Sequence, residues 1–161
     1  MIEDNAVKIH AHLDEGKILT DLKGRTRDGV LREMVEHVKL ANPGADGDDL
    51  LTGLLEREKL GTTAIGDGIA IPHCRLKGVS RPILRLGLSR RGVNFASVDG
   101  KPTHVIFLVA SPLDQPEINL RILASISKLV RGAGALAPKL LAAPTAGDVL
   151  RIIEEEDGNR D

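Results

Sequence analysis

The chain has 161 residues, enough for about one domain, and its 22 basic and 23 acidic residues leave a net charge of −1. Leu, Ile, Val and Phe make up about 30% of the residues, above the ~20% below which chains tend to stay disordered. The balanced charge excludes a strongly basic nucleic-acid-binding protein. Phe95 and Phe107 are the only aromatic residues, so the chain offers almost no surface on which single-stranded bases could stack.

The sequence predicts a soluble, cytoplasmic, single domain over residues 1–161, without membrane insertion. The longest apolar run, Val105 to Ala110, has six residues, whereas a membrane helix needs ~20. The N-terminal segment, about residues 1–16, is acidic and polar and lacks the features of a signal peptide. Cys74 is the only cysteine, which excludes an internal disulfide and a multi-thiolate metal site. Residues 157–161 are expected to form a flexible tail.

Four helices are predicted, most of them from apolar residues at helical spacing. They cover about residues 27–41, 47–60, 117–131 and 145–156. Asn42-Pro43-Gly44 ends the first helix, because proline cannot continue it and glycine tolerates the turn. Gly132 ends the third, and Thr145 with Asp148 has the spacing of a capping box at the start of the last.

Three strands are predicted between these helices. Residues 69–73 form a short strand that Pro72 closes, and Leu84, Leu86 and Leu88 alternate with other residues as in a half-buried strand. Residues 104–110 are continuously apolar, which is typical of a strand buried on both faces. The fold class is therefore α/β, with a single mixed β-sheet and helices on both faces.

A histidine at the end of the first predicted strand is the leading functional candidate. A loop with glycines at 61, 66 and 68 leads into this strand, which ends in Pro72-His73. A histidine beside a polar loop can serve as acid, base, metal ligand or nucleophile, or it can be purely structural. Arg57 and the hydroxyls of Thr62 and Thr63 lie upstream and are suited to binding an oxyanion.

Positive charge is concentrated just after this histidine. Between residues 75 and 91 there are six basic residues and no acidic one: Arg75, Lys77, Arg81, Arg85, Arg90 and Arg91. Such a cluster favours phosphate or an acidic partner. The alternative is a solvated face balanced by acids elsewhere, and strand alternation prevents all six from pointing the same way.

These residues resemble a known family. Arg57-Glu58-Lys59, Thr63, Gly66 and Ala70-Ile71-Pro72-His73 look like the active-site signature of enzyme IIA of the bacterial phosphotransferase system. The similarity is to the fructose/mannitol class and, within it, to the free-standing nitrogen-regulatory type. The Phe95 to Gly100 turn and the strand after it extend the resemblance over nearly the whole chain.

The resemblance implies a phosphohistidine relay that needs no cofactor and no metal. His73 would accept a phosphoryl group from an HPr-like carrier, and Arg57 would neutralise its charge. Thr63 and Asn119 would donate hydrogen bonds. Partners would be this donor and regulatory target proteins that respond to the phosphorylation state of His73. Such a protein is a relay component of the transferase class rather than a turnover enzyme.

The chain departs from the family at one position. Asn119 precedes Leu120 where the family has a His-Leu pair at the start of a helix. An amide donates neutral hydrogen bonds but cannot change protonation as histidine does. This departure supports an alternative function, a regulatory binding module that keeps the fold but is not phosphorylated.

The remaining reactive side chains are expected to be structural. Cys74 is interpreted as a small buried residue facing away from His73, because neighbours on a strand point to opposite faces. His10 and His12 share a face if extended and could bind a metal, although a polar strand edge is the simpler interpretation. His37 and His104 are expected to be structural, and residues 154–157 to form a solvated helix end.

Overall fold

The computed structural model describes residues 7–132 and 135–158. Two short 3₁₀ turns, Ile9–His12 and Glu15–Lys17, precede the first strand. The strands are β1 (Ile18–Leu19), β2 (Ala64–Gly66), β3 (Ile69–Ala70), β4 (His73–Leu76), β5 (Ile83–Val93) and β6 (Thr103–Pro112). The helices are α1 (Arg27–Ala41), α2 (Gly47–Lys59), α3 (Pro116–Gly132), α4 (Leu136–Ala142) and α5 (Ala146–Gly158).

The strands form one mixed sheet. Its order is β1-β5-β6-β3-β2, with β4 also paired to β6. The pairs of β6 with β3 and with β4 are parallel, and its pair with β5 is antiparallel. β3 and β4 therefore lie one after the other along the same edge of β6, and His73 lies opposite Val109 in the second half of that strand.

Helices cover both faces of the sheet. Along β6, Val105, Phe107 and Val109 pack with residues of α3, α4 and α5. The alternate residues Ile106 and Leu108 pack with residues of α1 and α2. Since every residue from Val105 to Pro112 is buried, the predicted strand buried on both faces is confirmed, as is the mixed α/β fold class.

The first two helices begin at side-chain caps. Thr26 accepts a hydrogen bond from the N–H of Gly29 at 3.0 Å, and Asp46 accepts bonds from the N–H groups of Asp48 and Asp49. The bounds of α1 agree with the prediction, and α2 ends one residue earlier than predicted. The end of α2 matters most for the site, because it carries Arg57.

Several local predictions were wrong. The predicted strand 69–73 is two strands, since β3 ends at Ala70 and β4 starts at His73. The half-buried strand is buried on both sides from Ile83 to Ser89, because α1 covers the face that carries Arg85. The helix α4 and the short strands β1 and β2 were not predicted.

The expected flexible tail was also wrong in part. Helix α5 extends to Gly158, and Asp157 is fully buried rather than solvated. Its carboxylate accepts hydrogen bonds from the backbone N–H of His10 at 2.8 Å and from the Nδ1 of the same residue at 2.6 Å. Residues 159–161 of the predicted tail and 1–6 of the predicted N-terminal segment lie outside the described residues. Among the helices of the described ranges, none has the length and apolar composition needed to cross a bilayer.

Candidate functional site

His73 lies at the first position of β4 and is half-buried. Its Nδ1 lies 2.7 Å from the carbonyl oxygen of Ile71. A carbonyl oxygen only accepts hydrogen bonds, so Nδ1 carries the proton in this contact. In the neutral ring, the lone pair is then on Nε2, and Nε2 is the nitrogen available for nucleophilic attack.

The surroundings of His73 favour the neutral imidazole. Burial lowers the pKa of His73 below its ordinary value, and the nearby charge of Arg57 lowers it further. The hydrogen bond to Ile71 and the carboxylate of Glu58 act in the opposite direction without reversing the shift. The lowered pKa of His73 therefore favours the neutral ring, with its proton on Nδ1, at neutral pH.

Arg57, in the last turn of α2, lies on the same pocket as His73. The pocket has a volume of about 380 Å³, and its walls include Arg57, His73, Arg75 and Asn119. The Nη1 of Arg57 donates a hydrogen bond to the carbonyl oxygen of Gly61 at 2.8 Å, which holds the guanidinium at the end of the helix. The structure thus brings together three of the predicted site residues from three separate elements.

The fourth predicted residue, Thr63, lies behind the pocket rather than on it. Its hydroxyl donates to the carboxylate of Glu58, and its backbone N–H donates to the same carboxylate at 3.2 Å. Both residues are buried. The hydroxyl of Thr62 is likewise engaged, since it donates to the carbonyl of Phe95. The hydroxyls of Thr62 and Thr63 therefore hold the loop after α2 in place through these hydrogen bonds.

Asn119, near the start of α3, accepts a hydrogen bond from Ser111 of β6, a residue to which the sequence analysis gave no role in the site. Its Oδ1 accepts a hydrogen bond from the hydroxyl of Ser111 at 2.9 Å, and Ser111 is completely buried in β6. The parallel register places Ser111 opposite Arg75 of β4. The hydrogen bond from Ser111 to Asn119 depends on how α3 packs against the end of β6, and no sequence motif marks it.

Comparison with known proteins identifies the family. A family model described as "Phosphoenolpyruvate-dependent sugar phosphotransferase system, EIIA 2" matches residues 11–156. The chain belongs to this EIIA-2 family. The resemblance stated from the motifs is thereby confirmed.

The similar proteins include nitrogen regulatory proteins. That of Pseudomonas aeruginosa is 32% identical over 147 residues, which cover 91% of this chain and 95% of the relative. That of Bradyrhizobium diazoefficiens is 34% identical and covers 84% of this chain and 88% of its own. The crystal structure of nitrogen regulatory protein IIA-Ntr from Neisseria meningitidis has a TM-score of 0.79 at 28% identity, over 90% of this chain and 98% of that one.

Only part of the basic cluster lies at the pocket of this EIIA-2 chain. Arg75 lines it, because His73 and Arg75 are two residues apart on one strand and share a face. Arg85, by contrast, is 2% exposed and points between α1 and the sheet. Its Nε donates to Nδ1 of His37 at 3.1 Å, and its Nη1 donates to the carbonyl of Leu84. Including Arg85 in a surface patch was therefore wrong.

Cys74 contacts α2, but it is partly rather than fully buried and also borders the pocket of His73, so the predicted buried residue facing away from His73 is confirmed only in part. Its Sγ lies 3.9 Å from the carbonyl of Leu50, and it packs beside Gly53. Burial raises the pKa of the Cys74 thiol to about 12. A thiol this weakly acidic is not a nucleophile at neutral pH.

The other histidines of the EIIA-2 chain have structural contacts. His10 and His12 lie in a 3₁₀ turn rather than on a strand edge, and His10 is paired with Asp157. The Nδ1 of His104 lies 2.9 Å from the carbonyl of Ser89, and His37 contacts Arg85. Over residues 7–132 and 135–158, no group of three or more potential metal ligands was found.

Proposed function

We propose that this EIIA-2 protein accepts a phosphoryl group from an HPr-like phosphohistidine carrier onto Nε2 of His73. We also propose that it acts in the cytoplasm and controls regulatory target proteins through the phosphorylation state of His73. Family membership and similarity to nitrogen regulatory proteins support a phosphotransfer and regulatory role. The observation that carries the proposal is the Nδ1 contact with Ile71, which leaves Nε2 as the nucleophile of the ring.

The transfer is a displacement at phosphorus. The Nε2 lone pair forms a new N–P bond while the N–P bond of the donor breaks, and its electron pair returns to the donor imidazole. The Nδ1 proton of His73 stays on the hydrogen bond to Ile71, where it compensates part of the negative charge of the phosphoryl group. Catalysis of such a transfer consists mainly of positioning and charge stabilisation.

The pocket residues supply that stabilisation in the proposed mechanism. Arg57 offers charge-assisted hydrogen bonds to the phosphoryl oxygens, and Asn119 offers a neutral one. Thr63 acts indirectly, because its hydroxyl holds Glu58, whose carboxylate in turn raises the basicity of His73. The proposal requires no cofactor and no metal.

The test is incubation with a phosphorylated HPr-type carrier, followed by intact mass and mapping of the modified residue. We expect one acid-labile phosphoryl group on His73, and none in His73→Ala. His12→Gln is the matched control, because His12 is a partly buried histidine that does not line the described pocket. Modification that persists in His73→Ala would contradict the assignment.

The alternative function is a binding module of the same fold that is not phosphorylated. The amide at position 119 supports it, since Asn119 cannot carry the charge of an imidazolium. The same experiment separates the two functions. An intact protein that takes no phosphoryl group from the carrier, while a reference EIIA protein does, would favour the binding module.

A further inference from the structure

Asn119 has a fixed side-chain orientation that originates inside the sheet. A carboxamide has an oxygen that accepts hydrogen bonds and, on the other side of Cγ, a nitrogen that donates two. The oxygen of Asn119 is bound by the hydroxyl of Ser111 at 2.9 Å. The nitrogen is therefore directed away from β6, and the residue lines the pocket that contains His73.

Ser111 is suited to this task because its hydroxyl has no other role in the β6–β4 ladder. The backbone of Ser111 already pairs with β4 opposite Arg75, so the strand does not need the side chain. The residue is completely buried, and a serine hydroxyl has a single proton. The hydroxyl of Ser111 donates this proton to the side chain of Asn119, which lines the pocket, rather than to a backbone carbonyl.

We propose that Ser111 is a positioning residue for phosphoryl binding: its buried hydroxyl locks the amide of Asn119 so that Nδ2 donates to a phosphoryl oxygen on His73. The opposite orientation would place Oδ1 against a phosphoryl oxygen, where two acceptors repel each other. The Ser111–Asn119 pair thus supplies a neutral, oriented donor at the position where the family resemblance implies a histidine. This inference rests on the proposed function of His73.

The experiment compares Ser111→Ala, Asn119→Ala and the double variant. Rates of phosphoryl transfer and lifetimes of phospho-His73 are measured with two donors, the phosphorylated HPr-type carrier and the small molecule phosphoramidate. Loss of one hydrogen bond to a charged group predicts that Asn119→Ala slows transfer by roughly tenfold or more. Ser111→Ala should lose a large part of that factor, and the double variant should be no slower than Asn119→Ala, since both act through one contact.

Two further variants separate positioning from packing. Ser111→Thr keeps the hydroxyl and should restore transfer. Ser89→Ala removes a similarly buried serine hydroxyl from β5 and should leave transfer unchanged. Amide NMR of the Asn119 side chain should show that Nδ2 shifts on phosphorylation in the parental protein and shifts less in Ser111→Ala.

Each outcome decides the inference. A Ser111→Ala protein that transfers at the parental rate, or whose effect simply adds to that of Asn119→Ala, overturns it. If the carrier fails but phosphoramidate modifies His73, the proposed relay is wrong, while the variants still test the Ser111–Asn119 contact. If neither donor modifies His73, both the relay and the positioning role are wrong.

Discussion

Burial, the carbonyl oxygen of Ile71 and the charge of Arg57 together set the protonation of the imidazole of His73. Burial lowers the pKa of His73, the hydrogen bond to Ile71 partly opposes this, and the charge of Arg57 lowers the pKa further, so His73 should titrate below the ordinary histidine value of 6.5. The decline of transfer to His73 at acid pH should therefore have its midpoint below pH 6.5. NMR titration of the ring would measure this directly, and Arg57→Ala should raise the pKa by removing a cation.

The same shift makes folding depend on pH. Between the lowered pKa and 6.5 the unfolded chain binds more protons at His73 than the folded one. The contribution of neutral His73 to stability is thus present above 6.5 and lost as the pH falls through the lowered pKa. A His73 that titrates at or above 6.5 would contradict this account of the pocket.

Arg57 is expected to be the strongest single contributor to phosphoryl transfer after His73. Removing one preorganised charge stabiliser commonly slows a reaction by about 10²–10³-fold. Arg57→Ala should lose a factor of this order in the rate measured by rapid quench, with little change in folding, since the hydrogen bond that its side chain donates to Gly61 is exposed. Arg57→Lys should recover only part of it, because lysine lacks the planar fork.

The matched control for Arg57 is its neighbour Lys59. This residue has the same charge, lies on the same helix and pairs with Glu56 on the surface at 2.9 Å. Lys59→Ala changes the net charge equally and should transfer at nearly the parental rate. If transfer is slowed equally in Arg57→Ala and Lys59→Ala, Arg57 acts only through the overall charge of the surface.

Among the elements, the contact of α2 with β4 fixes Arg57 relative to His73. A Cβ on Gly53 would lie 3.0 Å from Sγ and 3.2 Å from Cβ of Cys74, so Cys74 would have to shift by a few tenths of an ångström to admit a methyl group. Gly53→Ala should therefore destabilise the protein by about 1–2 kcal/mol in urea unfolding, although alanine favours the helix by ~1 kcal/mol.

Cys74→Ala provides the test of this explanation. With the sulfur removed, Gly53→Ala should become neutral or stabilising, so the two changes should show a favourable coupling. If Gly53→Ala alone stabilises the protein, helix propensity outweighs the contact and α2 does not need glycine at this position.

Sequence patterns predicted the long elements because local spacing determines them. The apolar stripe of α1 and the stop at Asn42-Pro43-Gly44 gave correct bounds. The two-residue strand β1 has no periodicity of its own and exists because it pairs with Leu86 and Gly87 of β5. Arg85 was predicted on the exposed face of β5, because the alternation of residues along the strand does not reveal that α1 covers that face.

The candidate site was predictable where it is a linear motif. Arg57 and His73 follow from the signature around them, and the structure places both on one pocket. Ser111 could not be found in that way, because its hydrogen bond to Asn119 depends on how β6 packs against the following helix α3. Thr63 was expected on the pocket, but its hydroxyl is directed to a neighbouring buried carboxylate.

At the scale of the whole molecule, contacts between distant parts of the chain close the fold. The carboxylate of Asp157, fully buried in α5, binds both the backbone and the ring of His10. Asp157→Ala leaves these donors without their acceptor and should cost about 2–3 kcal/mol of unfolding free energy. Glu155→Ala, an exposed carboxylate on the same helix, is the control and should change stability little. Similar, small losses of unfolding free energy in Asp157→Ala and Glu155→Ala would show that the contact between Asp157 and His10 does not stabilise the fold.

The central claim, that Nε2 of His73 accepts the phosphoryl group, is tested most directly by NMR of the phosphorylated protein with ¹⁵N-labelled histidine. The hydrogen bond from Nδ1 to Ile71 predicts that phosphorus couples to Nε2 while Nδ1 keeps its proton. A phosphoryl group on Nδ1 of His73, or on any other residue, would contradict the account.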